Sequence, residues 1–232
     1  MSRTRKTVGI LFSVIGVLLL FHPTLLPLVA YPLIHVDAPD NDATNLIFLR
    51  SAKISDDAFS FAKEFANRDP KHRVFVFHDF VRRAEAIGAA PSFLNITTQM
   101  LVDAGVPQEQ IGVVGDGTAI TSIEEIQQSD AWLAGQPSDA RLMIVTGLLN
   151  SGKYSTVAKQ YIDPSRRDRV RILGFEVRGI NSSNWWHTRT GLKDVLRNQL
   201  RLIHYWLTGE RRPDVDWDPD AYEQQLVKAH AE

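Results

Sequence analysis

Short apolar runs alternate with amphipathic stretches along most of the chain, starting at Asn45. "NLIFLR" reads as a buried strand, and "SDDAFSFAKEFANRD" follows with Phe59, Ala62 and Phe65/Ala66 on one helical face. Ser55, with Asp56 and Asp57 behind it, suits the start of that helix. The pattern then repeats: strand "RVFVFHD", a connection through Pro91 into a helix ending "TTQMLVDAGVP", strand "QIGVVGD", helix "SIEEIQQSDAWLAG", strand "RLMIVTG", helix "KYSTVAKQYI" and strand "RVRILGFEV". Gly105 and Pro107 form a stop signal. The spacing predicts a last helix over 188–207, its buried face formed by Leu192, Val195, Leu196, Gln199, Leu202, Ile203 and Trp206. Lys193, Arg197 and Arg201 recur on another face, which reads either as solvated or as a stripe that meets lipid phosphates.

Strands alternating with helices imply a parallel sheet covered on both faces, and near-continuous Val/Ile/Leu/Phe runs are what such strands require. The expectation is an α/β domain over 44–209: three layers, doubly wound and Rossmann-like, with a mostly parallel five-stranded sheet. A linker over 32–43 precedes it and a polar tail over 210–232 follows.

The N-terminus follows a different pattern. Arg3, Arg5 and Lys6 precede a charge-free run from Thr7 to Val36. A membrane-spanning helix takes roughly 17–25 mostly apolar residues, and the run predicts a transmembrane anchor over 7–31. Residues 1–6 would stay cytoplasmic, and Asp37, Asp40 and Asp42 beyond the run agree with that orientation. A cleaved signal peptide ending near Ala30 is the rival reading, weakened by Leu28 where a small residue belongs. With the anchor retained, the domain would face the extracytoplasmic side, which is the periplasm if the cell is a Gram-negative bacterium.

Composition mainly removes options. The 232 residues carry a net charge near -1, which offers no general attraction for nucleic acid, and no recognition motif for it occurs. Cysteine is absent, so disulfides, thiolate metal sites and cysteine nucleophiles are excluded.

In an open parallel sheet, ligands bind beyond the carboxyl ends of the strands. The candidates are therefore Arg50 and Ser51, Asp79, Asp116 and Gly117, Thr146 with Asn150 and Lys153, and Trp185 with Trp186. "GDGT" is either a tight turn or an anion cradle of backbone N–H groups. "TSIE", Thr121 to Glu124, has the spacing of a capping box. His78 and Asp79 are adjacent on an extended chain and point to opposite faces, which argues against a direct acid/base pair. No spacing suggests a metal centre, and "SGK" at Ser151–Lys153 lacks the rest of a phosphate-binding loop. The Trp pair either stacks on a ligand ring or plugs the end of the sheet.

Four segments resemble the SanA/YdcF/ElyC group of bacterial envelope proteins: "LVDAGVPQEQI", "GDGTAITSIEEI", "MIVTGLLNSGKYSTVAKQY" and "NWWHTRTGLKDVLRNQLRLIHYWL". The resemblance implies a membrane-anchored α/β domain with Asp116 in an acidic position, Ser122 and Glu124 within a Thr/Glu motif, and Trp185, Trp186, Gly191 and Leu192 in a W-W…G-L segment. Arg50-Ser51 and His78-Asp79 replace paired glycines of the group, and Asn150 replaces a histidine. Two functions follow as expectations. One is a role in cell-envelope homeostasis with an anionic or glycosyl ligand, Asp116 or Glu124 as acid/base, and Arg50 or Lys153 as anion clamp. The other is a non-catalytic accessory subunit of a membrane complex. No cofactor is named by any motif.

Overall fold

The computed structural model describes residues 26–50, 55–81, 85 and 88–208. Five strands form one all-parallel sheet: β1 (Asn45–Phe48), β2 (Arg73–Phe77), β3 (Ile111–Val114), β4 (Leu142–Gly147) and β5 (Val170–Phe175). Their order across the sheet is β3-β2-β1-β4-β5, a doubly wound Rossmann-like arrangement. The direction of winding reverses between β1 and β4, which puts the switch point beside Leu49–Arg50 and Thr146–Gly147.

The alternation of side chains along each strand divides the core into two layers. Leu46 and Phe48 face Phe59, Phe65 and Leu101, contributed by α1 (Asp56–Arg68) and α2 (Phe93–Ala104). Ile47 and Leu49 face Ile126, Leu133 and Val157, from α3 (Ser122–Ala134) and α4 (Leu148–Tyr161). The β1 strand is buried on both sides, hence its lack of polar alternation. The Ser55 hydroxyl caps α1 by accepting from Ala58 N at 3.3 Å, and α2 ends where Val106 N donates to Leu101 O at 3.0 Å. The edge of β5 is partly covered: Asp37 N donates to Ile172 O, and Ile172 N donates to Asp37 Oδ2.

A third apolar cluster joins Ala30 and Leu33 to Leu149, Ile180 and Trp185, with Val195 and Leu202 from α5 (Arg189–Thr208). Residues 26–31, read from sequence as the end of the anchor, thus contribute packing to the domain, with Ala30 fully buried. The rest of that anchor, 7–25, and the tail 209–232 lie outside the described residues. Among the described residues, no helix is long and apolar enough to cross a membrane.

Two local expectations change. The α4 helix starts at Leu148, five residues before "KYSTVAKQYI", because Gly152 is a packing residue rather than a loop residue. A Cβ there would lie 2.5 Å from Pro32 O, so the 31–33 turn sits directly on the helix. The α5 helix is also rotated from its expected setting: it buries Val195, Asn198, Leu202 and Tyr205 and leaves Leu192, Leu196, Ile203 and Trp206 exposed. Asn198 Nδ2 fixes that rotation by donating to Leu149 O at 3.2 Å, and Tyr205 by donating its hydroxyl proton to Gln160.

Candidate functional site

Three groups of side chains occupy the carboxyl edge of the sheet. At the end of β1, Arg50 is held by two carboxylates. Its Nε lies 2.5 Å from Asp79 Oδ2, and both terminal nitrogens donate to Glu85 Oε1 at 2.9 Å. The guanidinium also covers the Phe93 ring, 4.9 Å from the centroid. All three charged side chains are mostly withdrawn from water, at 13%, 14% and 10% exposure. The expected anion clamp is thus already neutralised inside the protein. Asp79 turns toward Arg50, while His78 turns the other way, its ring against Gly117. Ser51 lies outside the described residues.

Beyond β3, the "GDGT" loop closes on itself. Asp116 Oδ1 accepts from Thr118 N at 2.9 Å, Thr118 Oγ1 at 2.6 Å and Gln128 Nε2 at 2.8 Å. These bonds, led by the Thr118 hydroxyl, hold the Asp116 carboxyl below its ordinary value of 3.8. The Gly117 φ of +80° suits glycine, and a Cβ there would meet the His78 ring at 2.8 Å. Glu124 completes the capping box. Its Oε2 accepts from Ile120 N and Thr121 N, and its own N–H donates to Thr121 Oγ1 at 3.2 Å. Both acid/base candidates therefore have local structural duties: Asp116 closes a turn, and Glu124 caps α3.

The third group surrounds a cavity of about 280 Å³ beside the ends of β4 and β5, lined by Gly147, Asn150, Arg178, Thr190, Asp194 and Asn198 among others. This is slightly smaller than the roughly 300–1,000 Å³ typical of small-molecule sites. Of the ligand residues expected from sequence, Asn150 lines it, placed in the first turn of α4, which starts without a capping side chain. Thr146 is fully buried beneath, at the end of β4. Lys153 lies one turn further along α4, over the Tyr154 ring, whose hydroxyl donates to the buried Glu125. Arg178 has φ +56°, uncommon for a residue with a Cβ, in a tight turn that Val177 and Ile180 close. Thr190, Asp194 and Asn198 come from α5. Sequence reasoning missed them as site residues because nothing local distinguishes a polar helical residue over a cavity from one in solvent.

The Trp pair is packing. Trp185 is buried and donates from Nε1 to Leu26 O at 3.2 Å, while Trp186 sets its ring edge-on to it at 5.7 Å. Gly191 allows this fit, since a Cβ would lie 2.3 Å from Trp185 O. Among the described residues, no group of three or more His, Asp or Glu side chains could hold a metal ion.

No protein-family model, curated protein or solved structure matches the chain. What fold and site define together is a Rossmann-like α/β domain with a small cavity of mixed polar and apolar lining off the switch point.

Proposed function

We propose that the chain is a membrane-anchored α/β domain of the SanA/YdcF/ElyC type, facing the extracytoplasmic side of a bacterial inner membrane and serving the cell envelope as a non-catalytic accessory subunit of a membrane complex. The observation that carries this reading is the engagement of the charged edge residues. Arg50 is paired with Asp79 and Glu85, and Asp116 and Glu124 are committed to a turn and a cap. A general acid/base must instead have a proton-transfer oxygen available to a substrate. The anchor rests on residues 7–25, charge-free and still within the roughly 17–25 residues that a span requires, behind a basic N-terminus. The envelope role rests on the four resembling segments, and so on analogy.

The cavity at β4, β5 and α5 favours a second reading, a binding module for a glycosyl group. Its walls present amides, a hydroxyl and both signs of charge, which suits a hydroxyl-rich ligand better than an anion, given Asp194 in the wall.

Native mass spectrometry on the full-length protein, gently extracted from its own membranes, tests both. The expected result is a stoichiometric protein partner, kept by the Asp116→Asn/Glu124→Gln variant, with no small-molecule adduct. An adduct that survives in that variant and disappears in Asp194→Asn would shift the assignment to the glycosyl-binding module. An adduct lost in Asp116→Asn alone would overturn both readings and restore the acid/base site.

A further inference from the structure

The last helix carries a second apolar face, directed away from the domain. Leu192, Leu196, Leu200, Ile203 and Leu207 follow one another at intervals of four, four, three and four residues. That spacing lines them along one side of α5 for roughly 22 Å. All five are exposed, Leu200 at 69% and Leu207 at 79%. Trp206 borders the stripe and is exposed too. The Asn198 and Tyr205 bonds lock the opposite side of the helix inward, so the stripe cannot be buried by rolling α5 over. The surface continues onto the neighbouring segment, where Gln199 donates to Val29 O and Leu28, Val29 and Tyr31 are exposed.

Three observations identify what meets this face. Exposed Arg189, Lys193, Arg197 and Arg201 run along the helix on one flank of the stripe, which complements an anionic surface. Leu28, Val29 and Tyr31 follow closely in sequence on the charge-free apolar run of 7–25. A tether of that kind would hold this face, rather than the carboxyl edge of the sheet, against a bilayer. Finally, Trp206 and Tyr31 stand at the margins, where amphipathic rings favour the headgroup level. A second copy laid stripe on stripe would add another basic row instead of an acidic one.

We propose that this face of α5, with Leu28, Val29 and Tyr31, docks onto an anionic bilayer. The apolar stripe sinks to the boundary between headgroups and acyl chains, and the basic row meets lipid phosphates. The domain then lies flat on the membrane instead of swinging from its anchor. The inference deepens the membrane part of the proposed function and rests on the tether for its orientation.

The chain's lack of cysteine permits a direct test on the full-length protein. A polarity-sensitive dye is attached at Leu200→Cys or, as a control on exposed α3 surface, at Gln127→Cys. The protein is reconstituted into phosphatidylcholine vesicles with or without phosphatidylglycerol. With the anionic lipid, the dye at position 200 is expected to shift to the blue, to resist aqueous iodide and to be quenched by brominated lipid, while the dye at 127 stays open to iodide. Adding Lys193→Gln and Arg197→Gln is expected to weaken docking about fivefold per residue. Iodide access at position 200 in anionic vesicles would overturn the proposal. So would a shielded dye that brominated lipid fails to quench, which would identify the chain's own 7–25 segment or a second copy as the cover. An alkaline carbonate wash reads the tether separately: protein stripped from the vesicles refutes the anchor, whereas protein retained with a wet position 200 refutes only the docking.

Discussion

Arg50 shows how a residue that reads as a binding group can be absorbed into structure. Alone at the end of a strand it suggests an anion site; between Asp79 and Glu85, over Phe93, its charge is more than offset and it plugs the switch point. Removing it would strand two largely buried carboxylates. Arg50→Ala is therefore expected to destabilise the domain by about 2–3 kcal/mol, less than for a fully buried pair, as urea denaturation would measure. Arg50→Lys should recover only part of that loss, because an ammonium cannot reproduce the guanidinium fork. Asp116 permits a prediction with a defined sign. Its carboxyl is held below 3.8 in the folded protein, so its bonds contribute stability at pH above that value and lose it as pH falls through the depressed one. An NMR titration should place its midpoint below 3.8, leaving it ionised and unable to serve as a general acid near neutrality. In Asp116→Asn, this acid-dependent loosening of the 115–118 turn should be absent.

At the scale of elements, caps and close approaches decide what the helices can do. Glu124 is informative because its cap and its candidate chemistry predict different mutants. Glutamine still presents an oxygen to the Ile120 and Thr121 N–H groups, so Glu124→Gln should keep most of the stability, whereas Glu124→Ala should lose about 0.5–2 kcal/mol. A thermal melt distinguishes them, and an acid/base role would make both variants equally inactive. Gly152 and Gly191 are where the chain comes too close for a side chain, against Pro32 O and Trp185 O. Alanine at either is expected to cost about 1–3 kcal/mol by forcing backbone apart. Gly152→Ala should loosen the 31–33 segment from α4 first, visible as faster amide exchange there.

On the scale of the whole molecule, the 26–33 segment and α5 form one surface, braced by Trp185, and the sheet's carboxyl edge forms another. An alkaline carbonate extraction of the full chain is expected to leave it in the membrane pellet, and deletion of residues 1–25 to release it while preserving the melt of the domain. Retention of the deleted form at low salt, reversed at high salt, is what the basic flank of α5 would then produce.

The strands, the α/β class and the α3 cap were legible in the sequence because each depends on neighbours a few positions away. A continuous apolar run makes a doubly covered strand, and a Thr followed three residues later by Glu makes a cap wherever a helix begins. The candidate site was legible only as positions: the rule for parallel sheets found the carboxyl edge, including Asn150, but not which groups there were already engaged. Arg50 and Glu85, or Asn198 and Leu149, are brought together by packing across 35 and 49 residues of chain. The same limit applies to α5. Apolar residues lie around so much of its circumference that helical periodicity supports more than one inward face. Only the contacts with Leu149, Gln160 and the 26–33 segment select Val195, Asn198, Leu202 and Tyr205, and so leave the leucine stripe outside. Sequence determined the elements because local periodicity and capping are local physics; tertiary structure decided their rotation and the partners of their charges, because burial depends on what distant segments bring to the contact.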